Sequence, residues 1–491
     1  MAVAPTTPTG YVGNLTQSQE EKLREFWILI FTSAASVLSA IYDVPIPDDS
    51  PNRLFEALDN IQDPSVDAII AALNGEKAAA SPSSDKPSSN GNVLNNIDSI
   101  ANQETQKQVL SEIATRKVTP DSFNALFKRL REMGVQNSEV KAMERIMSKM
   151  TPAEMTFAVL KIVKHEHPDA LLLRFLRARK WDISKAFGMM ASAILWRKEM
   201  EVDDDIMPKG ELHALKQSRD TKLSAAEQKE GRDFLSQLEM GKSYLHKLDR
   251  EGRPVNIVRV RLHKPGAQSK EALERYIVHV IETNRMLIAP PVETGTILFD
   301  MTGFSLSNME YSPVKFIIQC FEANYPESLG LLLIHNAPWI FSGIWKIIHG
   351  WMDPVVASKV QFTRSIEDLD KFIPRDRIPK EHGGDDEFEY KYIEPEAHED
   401  NIMQDTGTRD ALMVERMMLG IQLLAATAAW ISSTTFSGGK EDPKKVETAK
   451  AQRASIIEKF QLNYWKLDPY IRARALIDRT GVLEPGGKVN S

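Results

Sequence analysis

Gly295-Thr-Ile-Leu-Phe-Asp300, Leu331-Leu-Leu-Ile-His-Asn336 and Ser358-Lys-Val-Gln-Phe-Thr363 are three short runs, rich in apolar residues and separated by longer segments with helical spacing. Such runs, preceded by a fourth over residues 254–262, read as strands. The intervening patterns over 269–288, 312–324 and 339–351 read as helices. Strands alternating with helices predict an α/β sheet with parallel crossovers.

Outward from this region the periodicity is helical. Patterns over 121–133, 137–150, 152–165 and 183–200 predict an all-α lobe before the sheet. Nearer the N-terminus, Thr16 and Gln19 have capping-box spacing, and Leu23, Phe26, Trp27 and Ile30 follow at helical intervals. Pro45, Pro47 and Pro51 should end that helix. Residues 78–96 are rich in Ser, Pro, Asn and Ala, a composition expected of a flexible insert. Two helical patterns, 408–431 and 443–479, lie beyond Pro395, divided by Ser437, Gly438 and Gly439. The expected division is an N-terminal helical segment (1–45), an insert and linker (46–119), a helical lobe (120–228), an α/β domain (229–395) and a helical C-terminal extension (396–491).

With 491 residues, 42% hydrophobic and 26% charged, the chain is long enough for two or three folded units. Its formal charge of -7 offers no basic excess for nucleic acid and disfavours purely electrostatic adhesion to anionic membranes. Any membrane contact is therefore expected to be local, transient and apolar. The single cysteine, Cys320, can form neither an internal disulfide nor a cysteine metal cage, which suits a reducing cytosolic compartment. It lies in an apolar helical stretch and reads as a buried, inert thiol. The apolar stretches 26–42 and 417–431 are short for membrane spans and diluted by polar residues, so both read as buried helices of a soluble protein.

No phosphate-binding loop, dinucleotide fingerprint, nucleophile elbow or His-Glu-x-x-His zinc motif occurs in the sequence. His165 and His167 flank Glu166, but one helical turn cannot aim both imidazoles at one metal, so solvent exposure is the expectation. Gly383 and Gly384 after His382 read as a turn. No catalytic residue, metal site or cofactor is expected. The balance favours binding over catalysis.

The segment Leu171-Leu-Leu-Arg-Phe-Leu-Arg-Ala-Arg-Lys-Trp-Asp182 resembles the signature of the helical lobe that precedes a CRAL-TRIO lipid-binding domain. Asp249-Arg-Glu-Gly-Arg-Pro-Val255, the strand ending at Asp300, Asn324-Tyr-Pro-Glu-Ser328, Asn336-Ala-Pro338, Asp353-Pro354, Ser358-Lys359 and Ile378-Pro-Lys-Glu-His-Gly-Gly384 match in the same order. The pattern is similar to the fungal phosphatidylinositol transfer proteins, of the yeast secretory type. Gly13-Asn-Leu-Thr16, Leu467-Asp-Pro-Tyr-Ile-Arg-Ala-Arg474 and Asp478-Arg-Thr-Gly481 resemble a long filamentous-fungal branch. The resemblance implies a CRAL-TRIO α/β fold with a helical N-terminal lobe and a helical C-terminal extension. It also implies a phosphatidylinositol headgroup site at Arg179, Glu327 and Lys359. Elementary chemistry agrees, since a phosphodiester removed from water needs cationic donors and inositol hydroxyls need acceptors. Alternatively, Arg174, Arg177 and Arg179 merely pin the helical lobe to the α/β lobe, and Glu327 with Lys359 forms an ordinary interlobe ion pair.

A threonine that often precedes the family's lysine is Val356 here. Gly295, Ile297 and Asn256 stand where phosphatidylcholine-exchanging members carry hydroxyl groups, which disfavours that lipid and leaves a second, more apolar lipid open. Trp339, Phe341, Ile344, Trp345, Ile348 and Trp351 make the 339–351 helix apolar on nearly every face, so it must be buried or meet lipid. The resemblance makes it the mobile gate of the lipid cavity, and its tryptophans suit a membrane interface. The expected function is phosphatidylinositol binding and exchange between membranes by a cytoplasmic, peripherally and transiently membrane-associated protein. The alternative is a lipid-sensing adaptor that presents membrane lipid state to a protein partner without bulk transfer.

Overall fold

Thr16 and Gln19 close the reciprocal cap that their spacing predicts. The Thr16 N–H donates to Gln19 Oε1 at 2.9 Å, and the Gln19 N–H donates to Thr16 Oγ1 at 3.3 Å. Helix α1 (Gln17–Tyr42) starts there and buries Leu23, Phe26, Trp27 and Ile30. The structure, a computed structural model, describes residues 7–42, 123–150, 152–434 and 442–490; the insert expected over 78–96 lies outside the described residues.

Five helices follow: α2 (Asn124–Glu132), α3 (Asn137–Met147), α4 (Pro152–Ile162), α5 (Pro168–Ala178) and α6 (Ile183–Glu199). Two more, α7 (Met207–Arg219) and α8 (Ala225–Glu239), are absent from the sequence reading. Gly210 breaks the helical dihedrals of α7 with φ 52, and the apolar stripe of α8 is narrow, with Phe234, Leu235 and Leu238 buried. The α/β region then runs β1 (Ser243–Leu248), β2 (Pro254–Arg259), α9 (Lys270–Met286), β3 (Gly295–Asp300), α10 (Tyr311–Gln319), a π-helical turn (Cys320–Asn324) and β4 (Leu329–His335). It ends with α11 (Phe341–His349), α12 (Pro354–Ser358), β5 (Val360–Thr363) and α13 (Ile366–Asp370). Beyond it lie α14 (Thr406–Ser433), α15 (Pro443–Ile471), α16 (Leu476–Arg479) and a small hairpin of β6 (Leu483–Glu484) and β7 (Lys488–Val489).

The chain folds as two compact units that interleave in sequence. The first combines Trp196–Gln404, Asp468–Ser491 and the N-terminal residues to Asn14; the second combines Leu15–Leu195 and Asp405–Leu467.

In the first unit the sheet order is β1-β2-β3-β4-β5. β2 to β5 pair in parallel, as the alternation with helices predicts. β1, missed by the sequence reading, adds an antiparallel edge, with Tyr244 opposite Ile257. Successive strand side chains point to opposite faces. Ile297, Leu332 and Ile334 pack on one face against Ile318 of α10, Phe341, Ile344 and Ile348 of α11, and Val356 of α12. Val255, Ile257, Leu298, Leu331 and Leu333 pack on the other against Leu369 of α13, Ile373 and Ile378. Double coverage explains why these strands read as apolar runs rather than strict alternations.

The pattern over 443–479 predicts one helix, but α15 ends at Ile471. Arg472, almost fully buried, bridges Asp468 (2.7 Å) and Asp478 (2.8 Å) and folds the chain back there. Ala473 then donates its N–H to the Met207 carbonyl at 3.0 Å. Its Cβ would lie 2.6 Å from a Cβ added at Gly210, so that kink requires glycine.

In the second unit Asp169 of α5 is a buried polar centre. Trp27 Nε1 donates to it at 2.8 Å, and Arg453 of α15 grips both its oxygens at 2.7 and 2.6 Å. Among the described residues, α14 alone is long and apolar enough to cross a membrane, and 56% of its apolar stretch is buried within the protein. Its buried Arg416 donates to the carbonyls of Val163, Lys164 and Phe460 and stacks on the Phe460 ring at 3.8 Å. These bonds tie the end of α4 to α14 and α15. The expectation that His165 and His167 are solvated is corrected here, because both are half-buried. His165 packs 4.7 Å from the Trp465 ring, and His167 caps α5 by accepting the Asp169 N–H. No group of residues suited to a metal ion occurs among the described residues.

Candidate functional site

Tyr325-Pro-Glu-Ser328 connects the π-helical turn to β4, and Glu327 stands there with φ +54, a left-handed conformation unusual for a residue with a side chain. Lys359 caps the C-terminus of α12, one residue before β5. The parallel neighbours β4 and β5 bring the two together, with Lys359 Nζ 3.3 Å from Glu327 Oε2. Their side chains are only 15% (Glu327) and 19% (Lys359) exposed, so a ligand that enters between them meets a partly desolvated cation and anion. Both belong to the first unit, so the pair is not the interlobe bridge weighed from sequence.

Arg179 belongs to the second unit. It is the half-buried C-cap of α5, and its Nη1 donates to the Ala178 carbonyl at 3.1 Å. Arg174, one turn earlier, is buried and paired with Glu166 at 2.8 Å. That pair anchors Arg174 within its own unit.

The gate segment departs from the sequence reading in length and in burial. Its helix, α11, is Phe341–His349, so Trp339 and Trp351 flank it rather than belong to it. Phe341, Ile344 and Ile348 face the sheet, and Phe304 meets Phe341 edge-on at 5.8 Å. Apolar groups also remain outside: Trp339 is 87% exposed, Ile347 47% and, on the edge strand β5, Phe362 47%. Trp345 is half-buried with its ring 5.2 Å from that of Phe362. The helix is thus neither wholly core nor wholly surface. It covers one apolar face of the sheet with Phe341, Ile344 and Ile348 and turns Ser342, Gly343, Lys346, Ile347 and His349 to solvent.

Several groups escaped the sequence reading. Tyr311 meets Trp351 edge-on at 5.4 Å, Lys315 Nζ lies 4.5 Å above that ring, and the Glu322 carboxylate accepts the Asp353 N–H. No local pattern reports them, since each joins residues at least 31 apart. At the end of β3, Asp300 lies 2.7 Å from Arg261 and 3.2 Å from His382. Burial alone would raise the Asp300 carboxyl, but His382 and Thr302 beside it outweigh that and hold it at about 2. His382 and Glu381 share the Tyr244 hydroxyl, at 3.0 and 2.8 Å. The turn expected at Gly383 is present, with φ +87, and carries this buried His382. Cys320 is fully buried, and desolvation pushes its thiol up to about 12, as expected of an inert cysteine.

Residues 238–384 match the CRAL/TRIO domain, and residues 124–192 match the CRAL/TRIO N-terminal domain. The phosphatidylinositol transfer protein CSR1 of Eremothecium gossypii is 34% identical over 98% of this chain and 99% of its own length. A CRAL-TRIO domain-containing protein of Schizosaccharomyces pombe is 39% identical over 71% of this chain and 73% of its own. The crystal structure of Sfh5 aligns with a TM-score of 0.32 and 16% identity, covering 46% of this chain and 80% of that one.

Proposed function

From the premise that this chain belongs to the CRAL-TRIO lipid-binding family, we propose that it binds phosphatidylinositol and exchanges it between membranes. The observation that carries this reading is the near full-length similarity to a phosphatidylinositol transfer protein, combined with retention of Arg179, Glu327 and Lys359.

The first unit suggests how exchange proceeds. An acyl chain leaving a bilayer loses about 0.8 kcal/mol per methylene unless another apolar environment receives it. The sheet face under α11 is such an environment, and Phe341, Ile344 and Ile348 cover it in the described conformation. Lipid entry therefore requires α11 to move. Trp339, Ile347 and Phe362 give the displaced segment a bilayer to rest on. The headgroup then replaces the mutual contact of Glu327 and Lys359, with phosphate on the lysine and inositol hydroxyls on the carboxylate. A second, more apolar lipid would use the same sheet face without the headgroup contacts. No covalent bond breaks, and the protein works peripherally and transiently at membranes from the cytoplasm.

The test is transfer of labelled phosphatidylinositol from donor to acceptor vesicles by the purified protein alone, with mass spectrometry of the lipid carried through purification. Intact label in acceptor vesicles is the expected result. No transfer despite bound phosphatidylinositol would favour the adaptor reading, and altered label would reveal an enzyme.

A further inference from the structure

The gate segment must end somewhere firm, and its C-terminal end is held more closely than local sequence suggests. Asp353 is fixed three times over. Its carbonyl accepts the Ala357 N–H at 2.9 Å, its side chain accepts the Val355 N–H at 2.8 Å, and its own N–H donates to the Glu322 carboxylate. The first two bonds are the ordinary start of α12. The third comes from another element, the π-helical turn Cys320–Asn324 that closes on the Tyr325 N–H to Cys320 carbonyl bond of 2.7 Å. A π turn inserts one residue into a helix and is kept where that displacement serves a purpose.

Glu322 stands between the two halves of the candidate site. Five residues after it comes Glu327; six residues after Asp353, at the end of α12, comes Lys359. One carboxylate therefore joins the end of the gate segment to the segment that carries the headgroup acid, and α12 extends the link to the headgroup lysine. Tyr311 and Lys315 of α10 support the same corner through Trp351. We propose that Glu322 is a positioning residue for lipid exchange, a latch that holds the C-terminal hinge of the gate closed and registers it against the Glu327–Lys359 pair. This inference rests on the carrier reading for its purpose, although the latch itself can be measured without lipid.

Two variants of the full chain test it, Glu322→Ala and Glu322→Gln. The amide oxygen of Gln can still accept the Asp353 N–H but loses the charge that strengthens the bond, so Gln should fall between wild type and Ala. In the absence of vesicles, amide exchange over residues 350–356 should rise by about tenfold in Glu322→Ala, the factor expected for loss of a charge-assisted hydrogen bond. The sheet amides of β3 and β4 should keep wild-type protection. Between vesicles of phosphatidylcholine containing phosphatidylinositol, Glu322→Ala should transfer lipid faster while loading the same amount per protein at saturation. A purely structural role would instead lower protection across the whole first unit and reduce transfer in proportion to lost folded protein, and Gln would not rescue it. Unchanged exchange over 350–356 in Glu322→Ala would overturn the latch, whatever the transfer rate. If the wild-type protein transfers no lipid while the local exchange responds as described, the latch stands and the carrier reading falls.

Discussion

Lys359 Nζ lies 3.3 Å from Oε2 of Glu327, so the two residues that the family resemblance assigns to the inositol phosphate neutralise each other in the described conformation. On the proposed reading, a bound headgroup replaces that contact with two of its own, phosphate on the lysine and hydroxyl on the carboxylate. Removing either residue therefore damages the site twice, by losing a ligand contact and by leaving a partly buried charge alone.

Lys359→Ala and Glu327→Lys should each lower phosphatidylinositol loading at least tenfold, since a hydrogen bond to a charged group contributes about 1.5–3 kcal/mol. Glu327→Lys should be the more severe, because it places two cations where an ion pair stood. Lipid extraction and mass spectrometry measure the loss, and circular dichroism checks the fold. Normal loading in a folded variant would remove the pair from the headgroup site.

Trp339 is 87% exposed and makes no buried contact whose loss would unfold the protein. Trp339→Asp should change stability by less than about 0.5 kcal/mol, as for ordinary surface substitutions, yet slow transfer between vesicles several-fold. Charged residues at Trp345 and Trp351 should likewise slow exchange more than they reduce the lipid retained through purification. Transfer at the normal rate by all three variants, with α11 still protected from hydrogen exchange beside vesicles, would assign the helix to the core.

Asp169 should make the second unit sensitive to acid. Burial alone would raise its carboxyl, but the Arg453 charge, helped by His167, outweighs burial and holds it at about 2, below its ordinary 3.8. Because the folded value is depressed, the stabilisation is complete above pH 3.8 and is lost as the pH falls from there towards 2. Its size is about 2 kcal/mol. Asp169→Ala, which leaves Arg453 and Trp27 without their acceptor, should destabilise by about 3–5 kcal/mol at neutral pH. Urea denaturation of both proteins at neutral pH and near pH 3 gives the comparison, and an equal loss in the two would contradict the assignment.

Residues 78–96 have too few large apolar side chains to offset the entropy of ordering a chain. Deleting them should leave phosphatidylinositol transfer within about twofold of wild type, the range of ordinary surface changes. A deletion variant that folds but transfers nothing would show that the segment has a function of its own.

The sequence by itself determined the alternation of strands and helices from Pro254 to Thr363, the Thr16–Gln19 cap and the burial of Cys320, because periodicity, propensity and capping act within a few residues. Arg179, Glu327 and Lys359 are site candidates only through resemblance, since nothing local distinguishes Lys359 from the other lysines. Tertiary structure alone decided the rest. It placed β1 on the sheet as an edge, showed that Trp339 lies outside α11, and brought Glu322 to Asp353 across 31 residues and Asp169 to Arg453 across 284. The physical reason is that an ion pair or a cap across such distances leaves no periodic trace. Its two halves are chosen by the packing that carries them together, and only the folded chain states which carboxylate meets which donor.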